Sequence, residues 1–457
     1  MYKSMMQAVC SETEFTDISS FTFVGAEQPL NGVNDLAAAS VRAAVSSTQM
    51  FIRDYFGTLP NASIDHSLVD RWCVSSVIPD GWDLPSEWDQ FAKDYQTRDG
   101  WIRLHTNANH HRNRALSVLG DVSTPEEAAE VVAGWRGSEL ETAIVDAGGC
   151  AAVLRNRQEW QSHPQGIAVA QEPIVSWDLA KASSHNWKLH SLNRPLSGLR
   201  VLDLTRVIAG PVATRFLANL GADVLRIDPP HWDEGGNVID MVVGKNCAGL
   251  DLRSNEELET LIELIQSAHV LVHGYRKDAL SRLGLTKARL SELNPALISV
   301  GINAYGATGP WQNRRGFDSL VQRSSGLAVE KSDMVTALPY QALDHSTGYL
   351  AAATVMQALR LQHAGGGVAS AHLSLARQAQ ILLDSNIDHM AMLAGKPHKN
   401  GAGIYAKYCS HEQTNWGEIF RLPLPYDIEG VNLRWMTPAR QLRSSPPEFE
   451  SIRRCYE

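Results

Sequence analysis

A chain of 457 residues has room for two or three domains, and 44% hydrophobic with 20% charged residues is the balance of a globular protein with a buried core. A formal net charge of -9 supplies no basic field, which argues against a nucleic-acid partner. No apolar run reaches the roughly 18 residues that a membrane-spanning helix needs.

In chain order, Asn34 to Tyr55 is Ala-rich and free of Pro and Gly, which predicts a helix capped by Asn34 or Asp35 within an N-terminal helical segment, residues 1–60. Residues 61–180 read as a small α+β domain. It has a strand at Trp101 to His105, a polar loop, and a helix ending at Gly120. Ser123-Thr124-Pro125-Glu126-Glu127 is a helix start, with a hydroxyl cap, proline near the first turn and acids behind it. The helix it opens runs to about Arg136, and another begins near Gly137. Residues 181–196 are polar and contain Pro195, the composition of a linker.

Beyond the linker, helix and strand alternate. Leu199 to Leu204 predicts a buried parallel strand, Val212 to Leu220 a helix closed by Gly221, and Asp223 to Asp228 the next strand. Asn255 to Ala268 then His269 to Val272 repeat the unit, as do a helix from Ser291 or earlier and Leu297 to Val300. This pattern predicts an α/β fold: a Rossmann-like, doubly wound parallel sheet over residues 197–392, preceded by the small α+β domain. Tyr349 to Gln362 reads as a long helix after Gly348, Gly365-Gly366-Gly367 as a turn to a strand, and Leu375 to Asp384 as the closing helix. Residues 393–457 are Pro-rich and polar, a wrapping tail.

The six cysteines lie far apart, without zinc-type spacing, and read as reduced thiols; no metal is expected. The N-terminal stretch lacks the apolar segment of a secretory signal and the C-terminal residues are not a peroxisomal signal, so the expected location is the cytoplasm. His105, His110 and His111 cluster after the small-domain strand; their spacing specifies no metal geometry, and a substrate-facing loop is the preferred reading.

The turn Arg206-Val207-Ile208-Ala209-Gly210-Pro211 joins strand to helix where dinucleotides bind, and Asp228 stands where an acid would hold a ribose. The turn lacks the glycines that let backbone approach a pyrophosphate, so a nicotinamide or flavin cofactor is not expected. A helix N-terminus still favours an anion there. Asp344, just before the long helix, is open to two readings on its own residues: helix cap or nucleophile.

LSGLRVLDLTRVIAGPVATRFLANLGADVLRID resembles the opening of the family III CoA-transferases, the formyl-CoA transferase, carnitine CoA-transferase and CaiB/BaiF type. The resemblance continues at Gly244-Lys245, at Gly249 to Arg253, at VLVHGYRKDALSRLGL (Val270 to Leu285) and at LNPALISVGINAYGATGPW (Leu293 to Trp311). It ends with RRGFDSLVQRSSG (Arg314 to Gly326) and ALDHSTGYLAAATVMQALRLQ (Ala342 to Gln362). DGWIRLHTNANHHR resembles the strand and loop of the family's small domain, here ahead of the large domain rather than behind it.

The resemblance implies a homodimeric enzyme that moves coenzyme A from an acyl-CoA, such as acetyl-CoA or succinyl-CoA, to a carboxylic acid. Coenzyme A is then a substrate, and no cofactor is permanently bound. It implies that Asp344 is the covalent carboxylate and that Val207, Ala209, Arg226, Lys245, Tyr275 and Arg282 bind coenzyme A. His345 beside Asp344 either polarises the site or faces solvent, and Asp318 holds a turn. The family's racemase branch has a histidine acid/base where Phe317 stands, which argues against an acyl-CoA racemase or isomerase, since a phenyl ring moves no proton. The family's mobile glycine loop has no clear counterpart beyond Gly148-Gly149, so a non-catalytic acyl-CoA binder is the other alternative. Gly306 and Gly309 mark a loop that passes close to something, or merely turns.

Overall fold

The computed structural model describes residues 1–10, 21–24, 32–180, 187, 191–276, 279–385, 392–393 and 403–450. It begins with α1 (Tyr2–Val9), β1 (Phe21–Val24), α2 (Gly32–Phe56), β2 (Ala62–Asp65), α3 (His66–Val74) and β3 (Val77–Pro79). The small α+β unit follows, with β4 (Asp94–Thr97), β5 (Gly100–Leu104), α4 (Asn109–Leu119), α5 (Pro125–Ala133), α6 (Gly137–Asp146) and β6 (Ala151–Val153). Its three strands pair antiparallel in the order β4-β5-β6, and Ile102, Leu104, Val132, Leu140 and Ile144 fill its core. The Thr124–Glu127 capping box starts α5, and Gly120 at positive φ ends α4, as their residue types predict.

Helices α7 (Arg157–Ser162) and α8 (Pro164–Gln171) lead to β7 (Ser176–Ala180). The large unit then runs β8 (Arg200–Leu204), α9 (Ala209–Asn219), β9 (Asp223–Asp228), α10 (Val238–Met241), β10 (Lys245–Gly249), α11 (Asn255–Ser267) and β11 (Val270–His273). It continues α12 (Ala279–Arg282), α13 (Lys287–Leu293), β12 (Ile298–Asn303), α14 (Asp318–Ser324), β13 (Val329–Lys331), β14 (Met334–Thr336), α15 (Ala342–His363), β15 (Val368–Ser374) and α16 (Leu375–Leu383).

Seven strands form one sheet in the order β10-β9-β8-β11-β12-β15-β7, all neighbours parallel except the β15–β7 pair. This is a doubly wound sheet, whose strand order reverses between β8 and β11. Apolar strands such as Arg200–Leu204 have both faces to bury. One face meets the cluster that joins α2, α9 and α15; the other meets Leu261, Leu264 and Ile265 of α11 and Leu290 of α13.

Three differences from the sequence reading have physical causes. The long helix begins at Ala342, not after Gly348, so Asp344 lies in its first turn. Gly348 is there for packing: a Cβ at this position would sit 2.4 Å from the Ala209 carbonyl oxygen and 2.7 Å from Val212 Cβ, so its absence lets α15 approach α9. Second, β7, just before the segment read as linker, joins the large sheet as its antiparallel edge. Third, the C-terminal region supplies β16 (Ser410–Gln413), β17 (Glu418–Arg421) and β18 (Tyr426–Ile428), which pair with β3 and β2 from the other end of the chain. Residues 188–190 and 394–402, within the predicted linker and tail, lie outside the described residues. Among the described residues no helix is long and apolar enough to cross a membrane.

Candidate active site

A cavity of about 470 Å³ opens at the carboxyl ends of the parallel strands. It is lined by Leu204 and Thr205 after β8, Pro229 after β9, Gly274 and Tyr275 after β11, Ile302 to Ala304 at the end of β12, and Leu375 after β15. In a doubly wound sheet this crevice, at the strand-order reversal, is where ligands bind. His110 and His111 from α4 bring the small unit to its wall.

Val207, Ala209, Tyr275 and Asp344 all line this cavity, so the fold brings these residues together from positions spread along the chain. Val207 has φ 68°, a left-handed backbone costly for a β-branched residue, on the order of 1–3 kcal/mol. The turn is held by Glu234, whose Oε1 accepts the Val207 N–H at 2.9 Å and the Trp232 Nε1–H at 2.8 Å. Ile208, the cap residue of α9, makes no side-chain capping bond. The first turn of α9, including Ala209 and Gly210, forms part of the cavity wall.

Arg226 and Lys245 do not line the cavity. Arg226 is fully buried, bound through Nε and Nη2 to Asp228 at 2.9 and 3.0 Å and through Nη2 to Glu234 at 2.6 Å. It reaches the site only through Glu234 and the turn that Glu234 holds. Lys245 Nζ is likewise fully buried, donating to Asp203 Oδ2 at 3.0 Å, Thr214 Oγ1 at 2.6 Å and the Pro211 carbonyl at 3.0 Å. A fully buried long cation must find an anion inside, and both do. Arg282 is exposed on α12 and does not line the cavity either, although its neighbour Ala279 does.

Asp344 is 7% exposed, and its backbone N–H donates to Asp318 Oδ2 at 2.9 Å. Burial, then the nearby Asp318 charge, raises the Asp344 carboxyl well above the usual range. Burial also pushes Asp318 up, to about 6, although Gln322 Nε2 donates to it at 2.5 Å. No cation pairs with Asp344 among the described residues. His345, by contrast, is not part of the lining; it is buried near Arg215 and Asp240, and burial and the Arg215 charge pull it down to about 3.

Phe317 lines the cavity, stacked 3.7 Å from His105 and edge-on to His111 at 5.8 Å. His105 is buried behind it, with Nδ1 3.3 Å from Ser319 Oγ. The loop marked by Gly306 and Gly309 passes close to Glu172 and Gln165. Glu172 Oε1 accepts the Ala307 and Thr308 N–H groups, and Gln165 of α8 bonds Tyr305, Thr308 and Trp311.

The sequence reading left out four arginines at the cavity: Arg206, Arg276, Arg314 and Arg315. The Arg206 guanidinium sits 5.1 Å from the Trp232 ring and 5.8 Å from Tyr275. Arg314 is tied to Glu141 of α6 at 3.0 Å and lies 4.0 Å from the Trp311 ring, fastening the small unit to the large one. The adjacent pair in RRGFD was the available signal; only the fold shows that it faces the same space as Asp344. Against these four cations the lining holds a single carboxylate, Asp344. The cavity therefore sets four guanidinium groups, two of them ion-paired to Glu141 and Asp228, around one desolvated carboxylate that has no cation partner among the described residues.

Residues 196–412 match the family model described as CoA-transferase family III. An acyl-CoA transferase of Gibberella moniliformis is 27% identical over 326 residues, covering 64% of this chain and 56% of that protein. A succinate–glutarate CoA-transferase of Agrobacterium fabrum is 29% identical over 228 residues, 44% of this chain and 56% of that one. An acetyl-CoA:oxalate CoA-transferase of Acetobacter aceti is 34% identical over 147 residues, 30% and 38% of the two chains. The chain spans about half the length of the curated relatives it matches first, 56% of each.

Proposed function

Residues 196–412 belong to CoA-transferase family III, and from that premise we propose that the protein moves coenzyme A from an acyl-CoA to a carboxylic acid, with Asp344 as the covalent carboxylate. The observation that carries this reading is the desolvated, cation-free Asp344 in the wall of an otherwise cationic cavity. The thioester of the bound acyl-CoA is attacked by an Asp344 oxygen; the C–S bond breaks, coenzyme A leaves as thiolate, and a mixed anhydride remains. The thiolate attacks the aspartyl carbonyl, the first acid departs as carboxylate, and Asp344 becomes a thioester. The acceptor carboxylate displaces the thiolate to form a second anhydride. The thiolate then takes the new acyl group and releases Asp344 as carboxylate. No proton or water is consumed, and the thioester bond is conserved.

Burial supports this chemistry twice. A carboxylate with a raised pKa is a stronger nucleophile once ionised, and a site shielded from water spares the anhydride from hydrolysis. The N-terminal turn of α15 favours the ionised form of Asp344 against that burial. The arginines suit the phosphates of coenzyme A by bidentate hydrogen bonds. Acetyl-CoA and succinyl-CoA are the first donors to try, and a homodimer is part of the same reading. The competing racemase reading needs an acid/base where Phe317 stands.

Intact-protein mass spectrometry tests the reading. Protein incubated with a panel of acyl-CoAs and quenched with hydroxylamine should gain a hydroxamate on Asp344, absent in Asp344→Ala. Protein that binds coenzyme A yet yields no adduct with any donor would refute covalent transfer; loss of the acyl α-hydrogen to deuterated solvent in its place would favour the racemase.

A further inference from the structure

The C-terminal hairpin carries a side-chain cluster that the transferase chemistry does not use. Asp80, His411 and Glu418 each bring one ligand atom within 4.8 Å of the other two. Among the described residues this is the one group of three or more His, Cys, Asp or Glu side chains that does so. All three are exposed, and none lines the active-site cavity. They come from opposite ends of the chain, so the local spacing that marks many metal sites is missing.

The sheet builds the cluster. Strands β16, β17 and β3 lie side by side in that order. In β17, Ile419 and Arg421 are buried, so Glu418 and Phe420 face solvent. The register sets Gln413 opposite Glu418 and His411 opposite Phe420, which makes His411 the diagonal neighbour of Glu418, within reach of a long side chain. On the other side Asp80 follows β3 directly, and its N–H donates to the Glu418 carbonyl at 3.0 Å. The Trp82 indole N–H donates to the same carbonyl at 2.8 Å. Three neighbouring strands thus fix the backbones of one imidazole and two carboxylates, while the exposed side chains remain free to turn.

The charges are unbalanced. Carboxylates on adjacent strands repel, and neither Asp80 nor Glu418 has a lysine or arginine partner among the described residues. His411 Nε2 lies 3.3 Å from Glu418 Oε2. Ligands held tetrahedrally at zinc distances are also about 3.3 Å apart. A hydrogen bond between His411 and Glu418 has the same length, but it leaves the Asp80 charge unanswered. Magnesium and calcium take shells of oxygen, whereas an imidazole among the ligands favours zinc and its neighbours.

We propose that Asp80, His411 and Glu418 bind a divalent transition-metal ion of the zinc type, which fastens the C-terminal hairpin to β3. Three protein ligands leave the exposed side of the ion to water. The site is structural and independent of the transferase reading.

Zinc is the probe. After chelator treatment of the full chain, calorimetric titration with zinc should reveal a site that magnesium and calcium do not fill. Zinc should raise the melting temperature, and EDTA should reverse the rise. His411→Ala, Glu418→Gln and Asp80→Asn should each weaken this site by about 10-fold or more and abolish the thermal shift. Circular dichroism checks that each variant is folded, as expected for exposed positions. X-ray absorption at the zinc edge should show nitrogen and oxygen ligands with one imidazole. No zinc binding by the wild type would overturn the site. So would binding that survives His411→Ala, which puts the ion elsewhere, or equal affinity for magnesium or calcium, the mark of an oxygen cluster alone.

Discussion

Asp203 and Asp344 are both carboxylates buried beside the same sheet, and they are treated in opposite ways. Asp203, the penultimate residue of β8, accepts from Lys245 Nζ, the Thr205 N–H and the hydroxyls of Thr205 and Thr214. Burial pushes its carboxyl up, but Lys245, Arg226 and these hydroxyls pull it below the ordinary range. Asp344 suffers the same burial, yet the nearest charged group acting on it is another acid, Asp318. The difference separates a carboxylate neutralised by its neighbours from one left open to the cavity, which is the environment that the role proposed for Asp344 requires. The first is neutralised in place; the second is left with its desolvation uncompensated, facing a cavity.

The largest contrast should come from removing each carboxylate system in turn. Asp344→Asn should lower CoA transfer on the order of 10³-fold or more, measured by following acyl-CoA exchange, while the melting temperature does not fall, because an unpaired buried charge is lost. Lys245→Met should do the reverse to the fold. It strands the Asp203 carboxylate without its cation, and denaturant unfolding should show a loss of about 3–5 kcal/mol.

A smaller effect is expected at Gly348. In Gly348→Ala the new methyl meets the Ala209 carbonyl oxygen and Val212, so α15 must shift from α9. A stability loss of about 1–3 kcal/mol should follow, with a raised KM for acyl-CoA, because Ala209 and Asp344 share the cavity wall. Unchanged stability and KM would mean that the two helices do not set the site's shape.

The smallest effect is a pH shift. The Asp344 carboxyl is raised, so the ionised form of the proposed nucleophile is lost as pH falls through that raised pKa. Asp318→Asn removes the like charge, the second cause after burial, so the acid limb of the pH–rate profile should move to lower pH. The stability sign runs the other way. Asp318 titrates near 6 in the folded chain against an ordinary 3.8, so its protonation favours the fold. That contribution is complete below the ordinary value and lost as pH rises through about 6. Asp318→Asn should flatten the fall in stability across this window in pH-dependent melts.

Local chemistry made much of the fold legible in the sequence. Apolar β-branched runs marked β8 and β9 nearly to the residue, and the Thr124–Glu127 box and Gly120 set helix ends that the structure keeps. Asp344 stood out because it precedes a long Ala-rich run inside a recognisable block. The start of α15 was not legible, since Gly348 looks like a stop in sequence and only its contact with α9 explains it inside a helix.

Pairing across the chain was the harder part. Arg226 and Lys245 are placed at the coenzyme A phosphates by the resemblance alone; the fold instead pairs Arg226 with Asp228, two residues on, and with Glu234, and pairs Lys245 with Asp203, 42 residues away. The arginines that do face the cavity needed the sheet to curl their loops together. His111 needed the small unit to dock before it could stand beside Phe317 and Arg315. The sequence by itself determined the α/β class and the alternation of strand and helix from β8 onward, because hydrophobic period and turn chemistry act over a few residues, while the proposed role of Asp344 rests on the resemblance. Tertiary structure alone decided which charges are neutralised and which face the cavity, because burial and Coulomb pairing depend on neighbours in space rather than along the chain.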